Sequence, residues 1–299
     1  MAEYYDMVLD EDELHWFFDH IIEKPLPHES YMVLLACRGK RLSDEERECT
    51  KVGARGEMMR EEFIHCKGGL KQEWNFDIYK QAFYAYNCDK RSLLTSAGVP
   101  YPEKAMVVYS VINPTNEIDC IEDTFERYNT ERKNLTASIL RGSKIGVQEH
   151  LVKMPKVFEH MKSCHASHTS RRIWLDFDMD IKKECRVPKV FEEAYVALHK
   201  SGERLFGIGN FAIIKTCGGF HTLVRKKSLS FNPNVFLEDV YEQADNLLFP
   251  QYVDEFVAND SSHKSRNGNN IIKRSAFIPT PGCRQYDSCP KVMNKGDFC

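Results

Sequence analysis

The chain has 299 residues, a formal net charge of −3 and 42% hydrophobic residues. These values are ordinary for a soluble globular protein with one large domain or two small ones, and they argue against a surface coated with phosphate-binding cations. The charges are unevenly divided, because residues 1–150 contain 19 Lys and Arg against 27 Asp and Glu, whereas residues 151–299 contain 22 against 17. The resulting charges of −8 and +5 favour a polyanionic partner for the C-terminal half.

The cysteines and the N-terminus indicate an intracellular protein. The acidic run of residues 10–13 is unlike a secretory signal, and no segment approaches the apolar length needed to span a bilayer. The 11 cysteines are irregularly spaced, which favours reduced thiols or metal ligands over a disulfide framework. We therefore expect a cytoplasmic or nuclear protein with no membrane partner.

The predicted elements of residues 1–97 are helical. An amphipathic segment opens at residues 13–18 after an acidic first turn, and residues 58–66 and 76–86 repeat apolar groups at helical spacing. The turn-rich segment 98–102 then marks a boundary, and residues 105–112 have the pattern of a buried strand. We predict an N-terminal helical region over 1–97 and a catalytic core over 98–299.

The predicted core alternates helices with strands. Helices are expected at 121–139, 148–161 and 188–203, and strands at 173–180, 211–215 and 220–225. The last two strands are joined by a turn that contains Gly218 and Gly219, which permit the positive φ of tight hairpins. This order of helices and strands predicts an α+β fold.

The strand predicted at 173–180 alternates apolar and acidic side chains. Its apolar residues enter a core, and Asp176, Asp178 and Asp180 line the opposite face. Carboxylates at this spacing raise one another's pKa unless cations lie between them, and oxygen-rich clusters suit Mg²⁺ or Mn²⁺. The alternative is an edge strand whose solvent face is acidic.

Beyond the glycine turn, His221 and Arg225 share one face of the next strand. The pair Asp176 and Asp178, followed some forty residues later by the run from Lys215 to His221, resembles the catalytic signature of the archaeo-eukaryotic primase superfamily, the primase-polymerases. The resemblance covers motif-bearing stretches of the C-terminal half. It implies a primase core with an RRM-like mixed or antiparallel sheet that carries the metal site, in a metal-bearing half that spans 171–299.

The same resemblance implies the roles of individual residues. The paired acids would bind two divalent ions, Mg²⁺ or Mn²⁺, and His221 would contact the triphosphate of the incoming nucleotide. Gly219 stands where serine is common in the family, which leaves the backbone N–H groups of the turn to hold phosphate oxygens. The family also has a third carboxylate downstream, for which Asp260 fits best because a polar and basic stretch follows it, with Asp254 as the alternative.

We therefore expect a metal-binding catalytic set and a nucleotide-binding set. The catalytic set is Asp176, Asp178 and Asp260, and the nucleotide-binding set is Lys215, Gly218, Gly219, His221, Arg225 and Arg274. Many relatives carry zinc near the core, and here the candidate ligands are His263, Cys283, Cys289 and Cys299. Their spacing is looser than that of paired C-x-x-C sites.

The expected function is a DNA primase or DNA polymerase. Such an enzyme would synthesise or extend primers on a single-stranded DNA template from nucleoside triphosphates by two-metal phosphoryl transfer. Because the chain lacks a G-x-x-x-x-G-K-[ST] phosphate loop, the replicative helicase would be a separate protein. Two alternatives remain, a metal-dependent glycosyltransferase that uses Asp176 and Asp178, and a catalytically inactive nucleic-acid-binding module of the same fold. The first leaves the Gly-Gly-Phe-His turn unexplained.

Overall fold

The computed structural model describes residues 3–65, 73–153, 168–230, 232–259 and 277–298. Within these ranges the chain is α+β, and its two main sheets are built from antiparallel pairs. No helix in the described ranges has the length and apolar character required to cross a membrane.

The elements follow one another along the chain with these bounds. The strands are β1 (Glu29–Cys37), β2 (Glu57–Ile64), β3 (Met106–Val111), β4 (Thr115–Asn116), β5 (Trp174–Ile181), β6 (Phe211–Lys215), β7 (Gly219–Arg225), β8 (Val253–Asn259), β9 (Phe277–Pro279) and β10 (Lys291–Val292). The helices are α1 (Glu11–Ile21), α2 (Asp44–Thr50), α3 (Phe76–Tyr84), α4 (Glu117–Leu140), α5 (Pro188–Phe206), α6 (Asn234–Gln243) and α7 (Phe249–Tyr252). Residues 144–153 are also helical, and the rest of the helix predicted at 148–161 lies outside the described residues.

The first sheet has the order β2-β1-β3-β9, with β4 paired to β1. Its central strand β1 is buried along nearly its whole length, and its residues Val33 and Leu35 are fully buried. Helices α1 and α3 contribute to the same core, as the contact between the Phe18 and Tyr79 rings, 5.2 Å apart, illustrates.

This sheet contradicts part of the helical prediction for residues 1–97. The segment 58–66 was predicted as a helix, but residues 57–64 form β2, which pairs with β1 through seven residue pairs. Those backbone hydrogen bonds and the packing of β1 outweigh the helical spacing of the methionines and phenylalanine of β2. Because β1 pairs with β3 and β4, which follow residue 98, the sheet also crosses the predicted domain boundary.

The second sheet has the order β10-β6-β7-β5-β8 and carries the acidic strand. The predicted alternation of β5 is confirmed, since Phe177 and Met179 are fully buried beneath α5 and α6, with the Phe177 ring 4.7 Å from that of Phe236. The predicted strands at 211–215 and 220–225 and the helices at 121–139 and 188–203 are also present.

The two sheets share one core at the Trp174 end of β5. Trp174 and Leu223, on the same face as the acids, belong to the hydrophobic cluster that contains β1, β3 and α1. The Trp174 indole N–H donates to the carbonyl of Ile21 at 2.8 Å. The C-terminal segment joins the sheets a second time, because β9 pairs with β3 and β10 pairs with β6. Away from this core, the space between the sheets is open and is lined by Asp178, Asp180 and His221 among others.

Candidate active-site cleft

A cleft of about 870 Å³ lies between the two sheets. One wall is formed by β5, β7 and the turn before β7, and the other by β1, β2, β3 and the loops that follow β1. This volume is within the range of pockets that hold a nucleotide-sized ligand.

Strand register brings the acids and the histidine into this cleft. In the antiparallel pair of β5 and β7, Asp178 lies opposite His221 and Asp180 lies opposite Gly219. Directly opposed residues share a sheet face, so Asp176, Asp178, Asp180 and His221 all project to one side. Asp178, Asp180 and His221 line the cleft.

His221 contacts two of the three acids through different ring nitrogens. Its Nδ1 lies 3.1 Å and 3.2 Å from the two carboxylate oxygens of Asp176, which is fully buried. Its Nε2 lies 3.7 Å from Oδ1 of Asp178, whose side chain is 37% exposed. The imidazole therefore bridges a buried carboxylate and a solvent-facing one.

The charges of this group perturb both titrating partners. Burial by itself lowers the pKa of His221, but the charges of Asp176 and Asp178 and the hydrogen bond to Asp176 outweigh it and raise the pKa to about 9. Burial raises the pKa of Asp178 to about 6, an effect that the charge of His221 opposes and the charges of Asp176, Asp180 and Glu255 increase. A protonated imidazole thus offsets part of the negative charge gathered on this face.

The turn before β7 is held closed by its own hydrogen bonds. The Thr216 hydroxyl oxygen accepts the N–H groups of Gly218 and Gly219 at 3.3 Å and 3.1 Å, and the N–H of Cys217 donates to Oε1 of Gln285 at 2.9 Å. These N–H groups, which the sequence suggested for phosphate oxygens, therefore already have partners.

The prediction that the two turn glycines supply a positive φ is wrong. Neither Gly218 nor Gly219 has a positive φ. A Cβ atom on Gly219 would stand 1.8 Å from the carbonyl oxygen of Met179 on β5, so this position requires glycine because the two backbones approach closely. The serine that the resemblance leads one to expect at this position could not be accommodated without separating the strands.

Six cationic side chains line the cleft, and sequence analysis did not identify any of them as site residues. They are Arg38, Lys40, Arg41, Arg55, Lys183 and Arg186. Among the described residues, none of the six makes an ion pair with a carboxylate, although ion pairs are frequent elsewhere on the surface. The only signal in the sequence is the short basic run at residues 38–41.

Contacts other than ion pairs hold three of these cations in place. The Arg41 guanidinium donates to Sγ of Cys217 at 2.9 Å and lies 4.1 Å from the centre of the Tyr286 ring. Arg38 lies 5.9 Å from the centre of the Tyr109 ring, and its buried Nε has no hydrogen-bond partner among the described residues. Arg186 uses its Nε to donate to the carbonyl of Ile181 at 2.9 Å.

Two predicted nucleotide-binding residues lie away from the cleft. Lys215 pairs with Phe220, so its side chain projects to the helix-covered face, where its Nζ lies 4.9 Å from the Phe191 ring. The guanidinium of Arg225 is 4.6 Å from the Trp174 ring and 3.6 Å from a carboxylate oxygen of Glu23. Strand alternation keeps the side chain of Lys215 out of the cleft. Arg225 lies at the end of the sheets where the shared core closes the space between them, so its side chain does not reach the cleft either.

The structure describes one of the two candidates for the third carboxylate, Asp254. Asp260 lies outside the described residues, as do Arg274, His263 and Cys299. Asp254 is exposed and stands between Val253 and Glu255 at an irregularity in the pairing of β8 with β5. The described acid of β8 that lies opposite the acidic strand is Glu255, which pairs with Asp180.

The candidate zinc ligands are likewise only partly described. Cys283 is fully buried and Cys289 is half-buried, and burial raises the pKa of both thiols, that of Cys289 to about 11. Within the described ranges, no group of three or more His, Cys, Asp or Glu is arranged to hold a metal ion. Because His263 and Cys299 are not described, zinc stays a prediction.

Comparisons of the chain with family models, with curated proteins and with solved structures gave no match. The argument for function therefore depends on the motifs of the sequence and on the geometry of the cleft.

Proposed function

We propose that the chain is a template-dependent nucleotidyltransferase, a DNA primase or polymerase of the archaeo-eukaryotic primase type. The observation that carries this proposal is the composition of the cleft, where carboxylates and a histidine on one wall face cations that have no carboxylate partner among the described residues. A wall of acids suits divalent cations, and unpaired cations suit phosphates. A metal-bound nucleoside triphosphate meets both requirements at once.

The donor chemistry of β5 fits the metal that the family resemblance implies. Hard divalent cations prefer carboxylate oxygens, and the half-exposed acids of β5 present such oxygens to the cleft. Asp260 is the sequence-based choice for a further ligand. When bound, two ions would activate the attacking hydroxyl and neutralise charge on the leaving pyrophosphate.

The remaining cleft residues would bind and orient the phosphates. Lys183 and Arg186 follow the acidic strand directly, and the guanidinium of Arg186 would lie 3.4 Å from a Cβ on Gly218 of the turn. His221 presents Nε2 toward the half-exposed Asp178. A hydrogen bond from a charged donor to phosphate contributes roughly 1.5–3 kcal/mol, so each such contact would change nucleotide affinity by roughly ten- to a hundredfold.

The proposal is tested by incubating the protein with single-stranded DNA, Mg²⁺ or Mn²⁺ and labelled ribo- or deoxynucleotides, with and without an annealed primer. Products without primer would identify a primase, and products only with primer would identify a polymerase. The matched control is Asp178→Asn, which should yield no product. DNA binding without incorporation under every condition would indicate the inactive module, and transfer from a nucleotide sugar would indicate the glycosyltransferase.

A further inference from the structure

The acidic strand holds three alternating carboxylates, so it contains two overlapping Asp-x-Asp pairs. Asp176 with Asp178 is one pair, and Asp178 with Asp180 is the other. The sequence motif alone favours the first. The environments of the three side chains differ, and this difference decides which pair faces a ligand.

Asp176 is enclosed. The residue is fully buried, and both of its carboxylate oxygens lie within 3.2 Å of Nδ1 of His221. Mg²⁺ usually keeps several of its water ligands when it binds a protein, so it needs open space beside its carboxylate ligands. Asp176 does not offer that space unless His221 moves away.

Asp178 and Asp180 are open. Both are partly exposed and both line the cleft, beside Lys183 and Arg186, which make no ion pair with a carboxylate in the described part of the chain. Glu255, an exposed acid on β8, lies directly opposite Asp180 in the strand register. The carboxylates that a hydrated cation can reach are therefore those at the C-terminal end of β5.

The histidine explains why a buried carboxylate is useful at position 176. A carboxylate on one ring nitrogen fixes which nitrogen carries the proton and how the ring is turned. Here Nδ1 donates to Asp176, which directs Nε2 toward Asp178 and the cleft. Removing the carboxylate would free the ring to rotate without removing any group from the cleft surface.

We propose that Asp176 is a positioning residue that orients His221, and that Asp178 and Asp180 hold the metal. This inference rests on the proposed function, because it assigns the metal ligands of that same site. It reassigns Asp176 from the predicted metal ligands and adds Asp180 to them.

The metal part is tested by Mn²⁺ binding, measured as loss of the free-ion electron paramagnetic resonance signal on titration of the 299-residue chain. Asp176→Asn should leave the dissociation constant within about threefold of wild type, whereas Asp178→Asn and Asp180→Asn should each weaken it by about tenfold or more. An Asp176→Asn variant that loses as much affinity as Asp178→Asn would overturn the assignment. If Asp176→Asn does not fold, Asp180→Asn decides alone, because unchanged Mn²⁺ affinity in that variant would also overturn it.

The positioning part is tested by a double-mutant cycle on the nucleotide KM. If Asp176 acts through His221, then Asp176→Asn and His221→Ala should each raise KM, and the double variant should be no worse than His221→Ala alone. Effects that multiply would show that Asp176 acts independently and would contradict the role. A wild-type protein that incorporates no nucleotide would refute the proposed function itself, whereas an active wild type with a reversed variant pattern would refute only this inference.

Discussion

Replacement of Gly219 by alanine tests the strand pairing on which the whole site depends. A Cβ at this position would lie 1.8 Å from the carbonyl oxygen of Met179, 2.9 Å from its carbonyl carbon and 3.2 Å from Cα of Asp180. All three atoms belong to the backbone of β5, so none can move aside as a side chain would. Because the optimal van der Waals separation of non-bonded heavy atoms is roughly 3.5 Å, β5 and β7 would have to separate by more than an ångström.

We expect Gly219→Ala to lower the free energy of unfolding by a large amount for the addition of one methyl group. Overpacking in a well-packed region costs about 1–3 kcal/mol, and the clash with backbone places Gly219→Ala at or above the upper end of that range. Gly218→Ala is the matched control. Its Cβ would meet the ends of two side chains, Oδ1 of Asp180 at 3.1 Å and Nη2 of Arg186 at 3.4 Å, and both can shift. We expect the free energy of unfolding of Gly218→Ala to remain within about 1 kcal/mol of that of the wild type.

Urea unfolding followed by circular dichroism measures both variants under the same conditions. The informative quantity is the midpoint at unchanged m value, because a changed m value would indicate an altered denatured or native state. A Gly219→Ala variant as stable as wild type would mean that β5 and β7 are not paired as described. Equal destabilisation by both variants would show that the turn, and not the close approach at Gly219, limits stability.

Three further predictions concern ligands. Asp178→Asn should abolish incorporation in a primer-extension assay while the unfolding temperature stays equal or rises, because it removes a like charge from the cluster; loss of folding would contradict this. Arg186→Ala should raise the nucleotide KM by about tenfold, whereas Lys215→Ala, on the opposite face, should leave it unchanged, and the reverse order would restore the sequence-based assignment. Arg38→Ala should weaken binding of single-stranded DNA or nucleotide and make it less sensitive to salt, as titrations at several ionic strengths would reveal; an unchanged salt dependence would remove Arg38 from the anion site.

Sequence reasoning succeeded where the pattern was local. The alternation in β5 and the glycine turn between β6 and β7 each lie within a short stretch, and two-residue periodicity is sufficient to place their faces. The same alternation, followed through the hairpin register, also separates Lys215 from His221. This conclusion requires knowing that Lys215 pairs with Phe220, and the glycine turn in the sequence does not by itself determine that register.

Non-local pairing explains what the sequence did not show. The residues of β2 include Glu, Met and Arg, which favour helices, and only their pairing with β1 makes them a strand. The cleft cations at residues 38–55 precede the acidic strand by more than a hundred residues in the sequence, and no local pattern links the two segments. Likewise, the alternation of β5 does not show that Asp176 is buried or that it contacts His221 on a neighbouring strand.

Net charge by sequence halves pointed to the C-terminal half as the polyanion-binding part, and the cleft shows why that measure is too coarse. Four of the six cleft cations, namely Arg38, Lys40, Arg41 and Arg55, belong to residues 1–150, the half with a net charge of −8. Among the acids of that half, Glu57 and Glu61 also line the cleft, and several others pair with surface cations, as Glu11 does with Lys80 and Glu103 with Lys90. Exposed pairs of this kind are nearly neutral toward a ligand. An anion is attracted by cations that are close together, whatever the net charge of the sequence half to which they belong. The acidic half of the chain supplies four of the six cations that line the cleft.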